Sequence, residues 1–401
     1  MDRLRDKYLA GLLLLGLIIA ACGGGGAATT AAGGGAATTA GGGSATTAGG
    51  GAVACDTDAA LADLEGGVLS TGPNGESPVA ASTLELSAEE LAEVKGMGAT
   101  AALVFHYAGN DWSQAQLDGL NARFGELGIE VIATTDANFE VVKQVENIET
   151  VLTQSPDIIV SIPTDAVATA DAYKKAADAG VEIVFMDNVA AGLTQGTDYV
   201  SVVSADNYGN GVASAHLMAK ALGCQGSVGI VFHAADFFVT KQRFEAFKAT
   251  IAESYPGIEI AAEQGIGGPD FTGDAEKAAS AMLTANPNLD GIWAVWDVPA
   301  EGVMAAARTA GRDDLIITTI DLGENVAIAI GSGELVYGLG AQRPYDQGVA
   351  EANLAAYGLL DKEAPPYVAL NALPVTQDNL LEAWVAVYHS EAPDNVKNAL
   401  G

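Results

Sequence analysis

From Thr100 onward the chain alternates two kinds of apolar pattern. Runs of consecutive apolar residues, such as Ala101-Ala102-Leu103-Val104-Phe105, predict short strands buried on both faces. Between them apolar residues return every three or four positions, as in Leu117, Leu120, Phe124 and Leu127, and predict helices with one buried stripe. Asp111 offers a cap for that helix, and Gly128 a left-handed end. A strand is predicted at 129–134. Val141, Val145, Ile148 and Leu152 form the next stripe, and Pro156 is a stop signal. Ile158-Ile159-Val160, a helix over 164–179 and a strand over 181–186 complete this half. The rhythm then restarts, with strands at 227–232, 258–262, 291–295 and 316–320 and helices at 240–254, 274–286 and 299–310. Alternation at these lengths implies βαβ units and parallel sheets, and two such runs imply an α/β fold of two doubly wound parallel-sheet lobes.

In an open α/β sheet a ligand sits beyond the carboxyl ends of the strands. The residues there are His106-Tyr107-Ala108-Gly109-Asn110-Asp111-Trp112, Pro163-Thr164-Asp165, Asp187-Asn188, the segment 233–238, Trp296-Asp297 and Asp321. Carboxylates, amides and aromatics in this mixture suit a polyhydroxylated small molecule. Aromatic faces stack on its C–H surfaces, while Asp and Asn bond its hydroxyls. Some of these residues have a second reading. Asp165 serves either as a ligand contact or as a helix cap. Trp112 and Trp296 belong either to the site or to the core. His106 is an added candidate, and His233 is read as a loop histidine. Phe237 and Phe238 offer a further apolar wall.

Before residue 99 the pattern changes. Arg3, Arg5 and Lys7 precede an apolar run from Leu9 to Ala21, which is short for a membrane span and fits a secretion signal over 1–21. Its end, Ile19-Ala20-Ala21-Cys22, reads as a lipobox, so Cys22 is the expected lipid attachment site. Acyl burial at about 0.8 kcal/mol per methylene would anchor the chain to the outer face of a membrane. Residues 22–52 are nearly all Gly, Ala and Thr and have little to bury, which predicts a disordered tether. A flexible chain of that length spans roughly 30 Å. Residues 53–98 form an N-terminal extension, in which Ser87 and Glu90 are spaced as a capping box.

The 401 residues carry a formal net charge of −33, with 18 Lys and Arg against 51 Asp and Glu. Nucleic acid is excluded as a partner, because phosphates need clustered cations. No cofactor is implied. The four histidines show no ligand spacing and the cysteines form no CxxC pair, so no metal is expected. With Cys22 assigned to lipid, Cys55 and Cys224 remain in a compartment that permits disulfides, and a bridge between them is expected.

Over roughly 99–393 the chain resembles the solute-binding lipoproteins of ABC importers, in the ribose-binding-protein-like class of type I periplasmic binding proteins. The resemblance rests on Asn110-Asp111-Trp112-Ser113, Pro163-Thr164-Asp165-Ala166, Met186-Asp187-Asn188, Arg243-Phe244-Glu245-Ala246-Phe247, Trp296-Asp297, Ile320-Asp321 and Ala341-Gln342-Arg343-Pro344, in that order. It implies two lobes, 99–204 plus 340–367 and 205–339 plus 368–401, joined by a three-stranded hinge with crossovers near 202–206, 337–342 and 367–373. It also implies ligand roles for Trp112 (stacking), Asp187 and Asp321 (accepting), Arg243 (donating, the other reading being a structural ion pair) and Gln342. Asn188 stands where the family often has Arg, Ala246 where it has Gly, and Trp296 where it has Asn. The resemblance further implies a monomer without catalytic residues that passes a sugar or polyol to an ABC permease. Three rivals stay open. One is a ligand-sensing receptor ectodomain, and another a binding protein for a nucleoside or autoinducer-like furanose. The third is a secreted glycosidase, which would need two carboxyl groups flanking a scissile bond.

Overall fold

The structure, a computed structural model, describes residues 55–401. The expected signal peptide, the tether and lipidated Cys22 lie outside the described residues. The first elements are α1 (Thr57–Asp63), β1 (Val79–Ala80), α2 (Ala88–Met97), β2 (Thr100–Phe105), α3 (Asp111–Leu127), β3 (Glu130–Asp136), α4 (Val141–Leu152) and β4 (Ile158–Ser161). Then come α5 (Ala170–Asp178), β5 (Glu182–Met186), β6 (Ser201–Ala205), α6 (Asn207–Ala221), β7 (Gly226–His233), α7 (Phe238–Ser254), β8 (Ile258–Ile266) and α8 (Phe271–Ala285). The chain ends with β9 (Gly291–Ala294), α9 (Asp297–Ala310), β10 (Ile316–Ile320), α10 (Glu324–Ser332), β11 (Val336–Ala341), α11 (Pro344–Leu359), β12 (Tyr367–Leu370), β13 (Leu373–Thr376), α12 (Leu380–Tyr388) and α13 (Asp394–Ala399).

Two sheets result. One is ordered β1-β12-β6-β5-β4-β2-β3 and the other β13-β11-β10-β9-β7-β8. All pairings are parallel except β11 with β13. Strand β2 shows why the apolar runs are unbroken. Ala101, Leu103 and Phe105 pack into one core cluster while Ala102 and Val104 pack into another on the opposite face. Burying both faces requires helices on both, which βαβ crossovers supply.

From β2 onward the chain crosses between lobes three times, between β6 and α6, between β11 and α11, and between β12 and β13. The expected limits differ slightly from this. Val368, Ala369 and Leu370 stay on the N-terminal sheet, paired with β6, although the second lobe was expected to resume at 368. Gly340 and Ala341 belong to the C-terminal sheet, paired with β10 and β13, although the first lobe was expected from 340. Three local expectations also shift. The cap of α3 is Asn110, whose side chain accepts from Ser113 N–H, and Asp111 is the first helical residue. Helix α5 starts at Ala170 rather than 164, after a turn in which the Asp165 carboxylate accepts from Val167 and Ala168 N–H. Strand β8 runs to Ile266, beyond the expected 262.

The extension is a strap across the hinge. Its start is joined to the C-terminal lobe by a Cys55–Cys224 disulfide with a Cα separation of 5.9 Å, inside the ordinary range. Its far part lies on the N-terminal lobe. There β1 pairs with β12, and α2 carries the capping box of Ser87 and Glu90. Between these anchors it is fixed to the first crossover. Fully buried Asp206 caps α6 by accepting from Gly209 N–H, and the same carboxylate accepts from Leu69 N–H, Ser70 N–H and Ser70 Oγ–H at 2.8 Å each.

Replacing Asp206 strands several donors at once, and each buried unsatisfied group costs about 1–3 kcal/mol. We predict that Asp206→Ala lowers the unfolding free energy by roughly 2–4 kcal/mol in urea titration. A loss below about 0.5 kcal/mol would show that the strap and the crossover are not coupled through this carboxylate.

Candidate functional site

The parallel registers bring all relevant strand ends to one level. Phe105 pairs with Asp136, Val104 with Ser161, Ser161 with Phe185 and Met186 with Val203. The next residues, His106, Ile162, Asp187 and Ser204, therefore share one edge. In the other lobe Val231 pairs with Ala294 and Ile320 with Gly340, which aligns His233, Trp296, Asp321 and Gln342. The two edges enclose a cavity of about 270 Å³.

Asp187 and Asp321 occupy equivalent places, each directly after its strand. Both have left-handed backbones, with φ of 54° and 69°. Aspartate tolerates this region better than most non-glycine residues, and strain of this kind concentrates at functional sites. Each is held by its amide, Asp187 N–H to Val203 O at 2.8 Å and Asp321 N–H to Gly340 O at 3.1 Å.

The floor of the cavity is one hydrogen-bonded chain. Asp187 Oδ1 accepts from Ser204 Oγ at 2.6 Å, and Ser204 Oγ accepts from Asn207 Nδ2 at 2.9 Å. Asn207 Oδ1 accepts from Arg243 Nε at 2.8 Å. Arg243 Nη1 pairs with Asp321 Oδ2 at 3.2 Å, and Asp321 Oδ1 accepts from Gln342 Nε2 at 2.7 Å. The chain runs from one lobe to the other through the first crossover. Arg243 is positioned by helix packing, since a Cβ on Gly211 of α6 would lie 2.5 Å from Arg243 O and 2.7 Å from Ala246 Cβ. The small residue expected in the arginine motif is thus a glycine on the facing helix, with Ala246 against it.

The walls are aromatic. His106, Tyr107, Trp112 and Phe139 come from the N-terminal lobe; His233, Phe237, Phe271 and Trp296 come from the C-terminal lobe. His106 lies 4.7 Å from Phe139, and Phe271 lies 4.9 Å from Trp296, centroid to centroid. Two contacts cross the cleft: His106 stacks on Phe237 at 5.7 Å, and Phe139 meets Phe271 edge-on at 5.2 Å. At the rim, Asp111 Oδ2 accepts from Glu324 N–H at 2.8 Å, tying α3 to the start of α10.

Burial governs the titration of these groups. It pushes the Asp187 carboxyl up to about 6, with nearby Asp321 adding to the rise and Ser204 and Arg243 opposing it. Burial, then the neighbouring Asp321, holds Asp297 well above the ordinary carboxylate value. His106 is depressed to about 3 by burial and then His233, and His233 to about 4 by burial and then Arg243. Both imidazoles are neutral rings at physiological pH.

Of the expected site residues, His106, Asn110, Trp112, Asp187, Arg243, Trp296, Asp321 and Gln342 line this cavity. The others lie outside its lining. Asp165 is an exposed turn carboxylate. Asn188 turns its amide toward Pro163 O, and Asp111 sits at the rim contact. Phe238 packs against the N-terminal lobe core, leaving Phe237 on the wall. Asp297 borders a smaller adjoining pocket with Trp112, Asp321 and Gln342. Sequence reasoning missed Tyr107 as a wall residue, His233, Phe139, Phe271 and the floor residues Ser204 and Asn207. Phe139 and Phe271 follow β3 and β8, the edge strands whose carboxyl ends went unread. Among the described residues no His, Cys, Asp or Glu cluster could hold a metal, and no helix is long and apolar enough to cross a membrane.

The family described as "periplasmic binding protein domain" matches residues 101–364. The chain belongs to this family, in its type I form. It is a binding protein and not an enzyme. It is 26% identical over 239 residues to the ribose import binding protein of Escherichia coli (strain K12), covering 59% of this chain and 77% of that one. It is 26% identical over 241 residues to the D-apiose import binding protein of Actinobacillus succinogenes, covering 59% and 74%. Among solved structures, an ABC sugar transporter subunit from Rhodobacter sphaeroides 2.4.1 is 26% identical with a TM-score of 0.62, covering 70% of this chain and 99% of that one. A periplasmic solute-binding protein from Actinobacillus succinogenes 130z with bound D-allose is 25% identical with a TM-score of 0.64, covering 70% and 99%.

The two histidines give the binding protein a pH signature. Their folded values lie below the ordinary 6.5, so between about 3 and 6.5 the unfolded chain binds more protons and stability rises with pH. Raised Asp187 opposes this between its ordinary value and about 6. We predict that His106→Phe flattens the rise in unfolding free energy between pH 4 and 6 by up to about 1.4 kcal/mol per pH unit. An unchanged slope would mean that His106 is protonated in the folded state.

Proposed function

We propose that this protein is the extracytoplasmic solute-binding component of an ABC importer, capturing a sugar or polyol of monosaccharide size between its lobes. The observation that carries this reading is the cavity itself. A hydrogen-bonding floor spans both lobes under walls of aromatic rings, at the carboxyl ends of two parallel sheets. A ligand touching both lobes favours the arrangement in which they meet, by its difference in affinity between that arrangement and an open one. The three crossovers are the places where bending concentrates. The relatives support transport, since their names assign them to the import of ribose and D-apiose. The expected lipid on Cys22, the Gly/Ala/Thr tether and action as a monomer complete the proposal, with the lobe surfaces presented to a membrane permease.

In this reading Trp112 and Trp296 stack on the ligand, Asp187 accepts from its hydroxyls, and Arg243, Asp321 and Gln342 hold the opposite edge. Ser204 and Asn207 act through the others, as positioning residues. The glycosidase rival lacks support, because Asp321 is engaged by Arg243 and Gln342 instead of being poised across a scissile bond.

A thermal-shift screen of pentoses, hexoses, polyols and nucleosides tests the proposal. A ligand at 100 times its dissociation constant adds about 2.7 kcal/mol of stability. We expect a hit among the sugars or polyols. Asp187→Ala and Arg243→Ala should each weaken its binding by at least tenfold, since each leaves buried partners unpaired. A shift with nucleosides alone would replace the sugar reading. Near-native affinity in both variants would place the ligand elsewhere.

A further inference from the structure

We propose that the ligand carries a positively charged amino group, as an amino sugar or aminocyclitol does. This deepens the sugar-or-polyol reading and rests on it. The first observation is an imbalance of charge. Among the described residues the charged side chains lining the cavity are Asp187, Asp270, Asp321 and Arg243, and with Asp270 exposed as the cap of α8 the buried ones are two carboxylates to one cation. That cation already pairs with Asp321 through Nη1 and holds Asn207 through Nε. Both oxygens of Asp321 are satisfied by the protein, one by Arg243 and one by Gln342. The hydrogen bond to Asp187 comes instead from a neutral hydroxyl, that of Ser204, although the residue is only 3% exposed. A buried carboxylate in this position is costly unless it is protonated or meets a cation. A ligand ammonium supplies that cation.

The second observation concerns which hydrogen-bonding atoms are left over. Gln342 is 3% exposed and lines the cavity, and its Oε1 is buried without a partner. The amide orientation follows from chemistry, because Nε2 must face the carboxylate of Asp321. This leaves one acceptor of a lining residue without a partner. Trp112 Nε1–H and His106 Nδ1 are buried without a partner as well; the three N–H of an ammonium match the Gln342 acceptor, while a neighbouring ligand hydroxyl can accept from the indole.

The third observation is the wall. Trp112, Phe139, Phe271 and Trp296 present ring faces and edges to the same space, and the two imidazoles beside them are uncharged. Aromatic faces attract a desolvated cation, and a cage of rings closed by a carboxylate is a general solution for binding amines. Anionic sugars are disfavoured by the same arrangement.

Calorimetric titration of the full chain at pH 7 with three matched pairs provides the test: D-glucosamine against D-glucose, D-galactosamine against D-galactose, and D-mannosamine against D-mannose. N-acetyl-D-glucosamine, which keeps the nitrogen but lacks the charge, is the control. We expect at least one amine to bind tenfold or more tightly than its hydroxyl parent, and the N-acetyl sugar to bind no better than glucose. Asp187→Asn, which keeps size and polarity, should bring the amine-to-hydroxyl ratio close to one. A neutral parent binding as tightly as its amine overturns the inference and leaves the sugar reading standing. An N-acetyl sugar matching the amine also overturns it, since charge would not be what is read. Absence of binding by every member overturns the inference, and if the broader sugar and polyol screen is silent too, the sugar reading falls with it.

Discussion

The site depends on one buried guanidinium. Arg243 is the junction at which the hydrogen-bonded floor passes from the first crossover into the C-terminal lobe, with Asn207 on one side and Asp321 on the other. A charge this deeply buried persists because its donors are matched to acceptors at fixed positions. The matching is geometric. Asn207 opens α6, Asp321 ends β10 in a left-handed turn, and Gly211 lets α7 approach closely enough to bring Arg243 between them. The same chain continues through Ser204 to Asp187, so ligand-facing groups of both lobes share one network. Networks of this kind specify a single arrangement when every member is satisfied.

Around this floor the molecule separates rigid and yielding parts. Each sheet is buried on both faces, whereas the links between the lobes include three short crossovers, ring contacts such as Tyr345 on His389, the packing of Phe237 and Val239 on the N-terminal lobe, and the polar Asp111–Glu324 and Asp346–His389 contacts. A ligand biases closure by the difference in its contacts between the closed and open arrangements. The strap adds a constraint at the hinge. It is disulfide-bonded to one lobe, adds a strand to the other and is fixed to the crossover between them by Asp206. Bending must take place beneath a segment attached at three points.

The chemistry of the cavity follows from water exclusion. Burial keeps His106 and His233 neutral, which turns two potential cations into ring faces, and it raises Asp187 because a lone carboxylate is poorly solvated there. The cleft is thus apolar on its walls and acceptor-rich on its floor, although the chain's overall acidity already places many carboxylates on the outer surface.

Much of the architecture was legible in the chain, because a two-sided parallel sheet needs unbroken apolar runs such as 101–105 and helices between them need a stripe, and both patterns are local. The rule that ligands meet strand ends located Trp112, Asp187, Trp296 and Asp321 from position alone. Other residues were decided only by packing. Asp165 and Asn188 lie in the loops after β4 and β5, yet Asp165 turns to its own helix start and Asn188 to Pro163 O. Phe139 and Phe271 reach the cavity from edge strands because the two lobes approach there, and Phe237 faces inward where its neighbour Phe238 does not. Ser204 and Asn207 carry no signal of their own, and acquire a role when a fold brings Asp187 and Arg243 to either side of them. Periodicity along the chain determines which faces are buried. Which polar groups then find one another across the gap depends on distances between residues far apart in sequence, and only the assembled tertiary structure sets those.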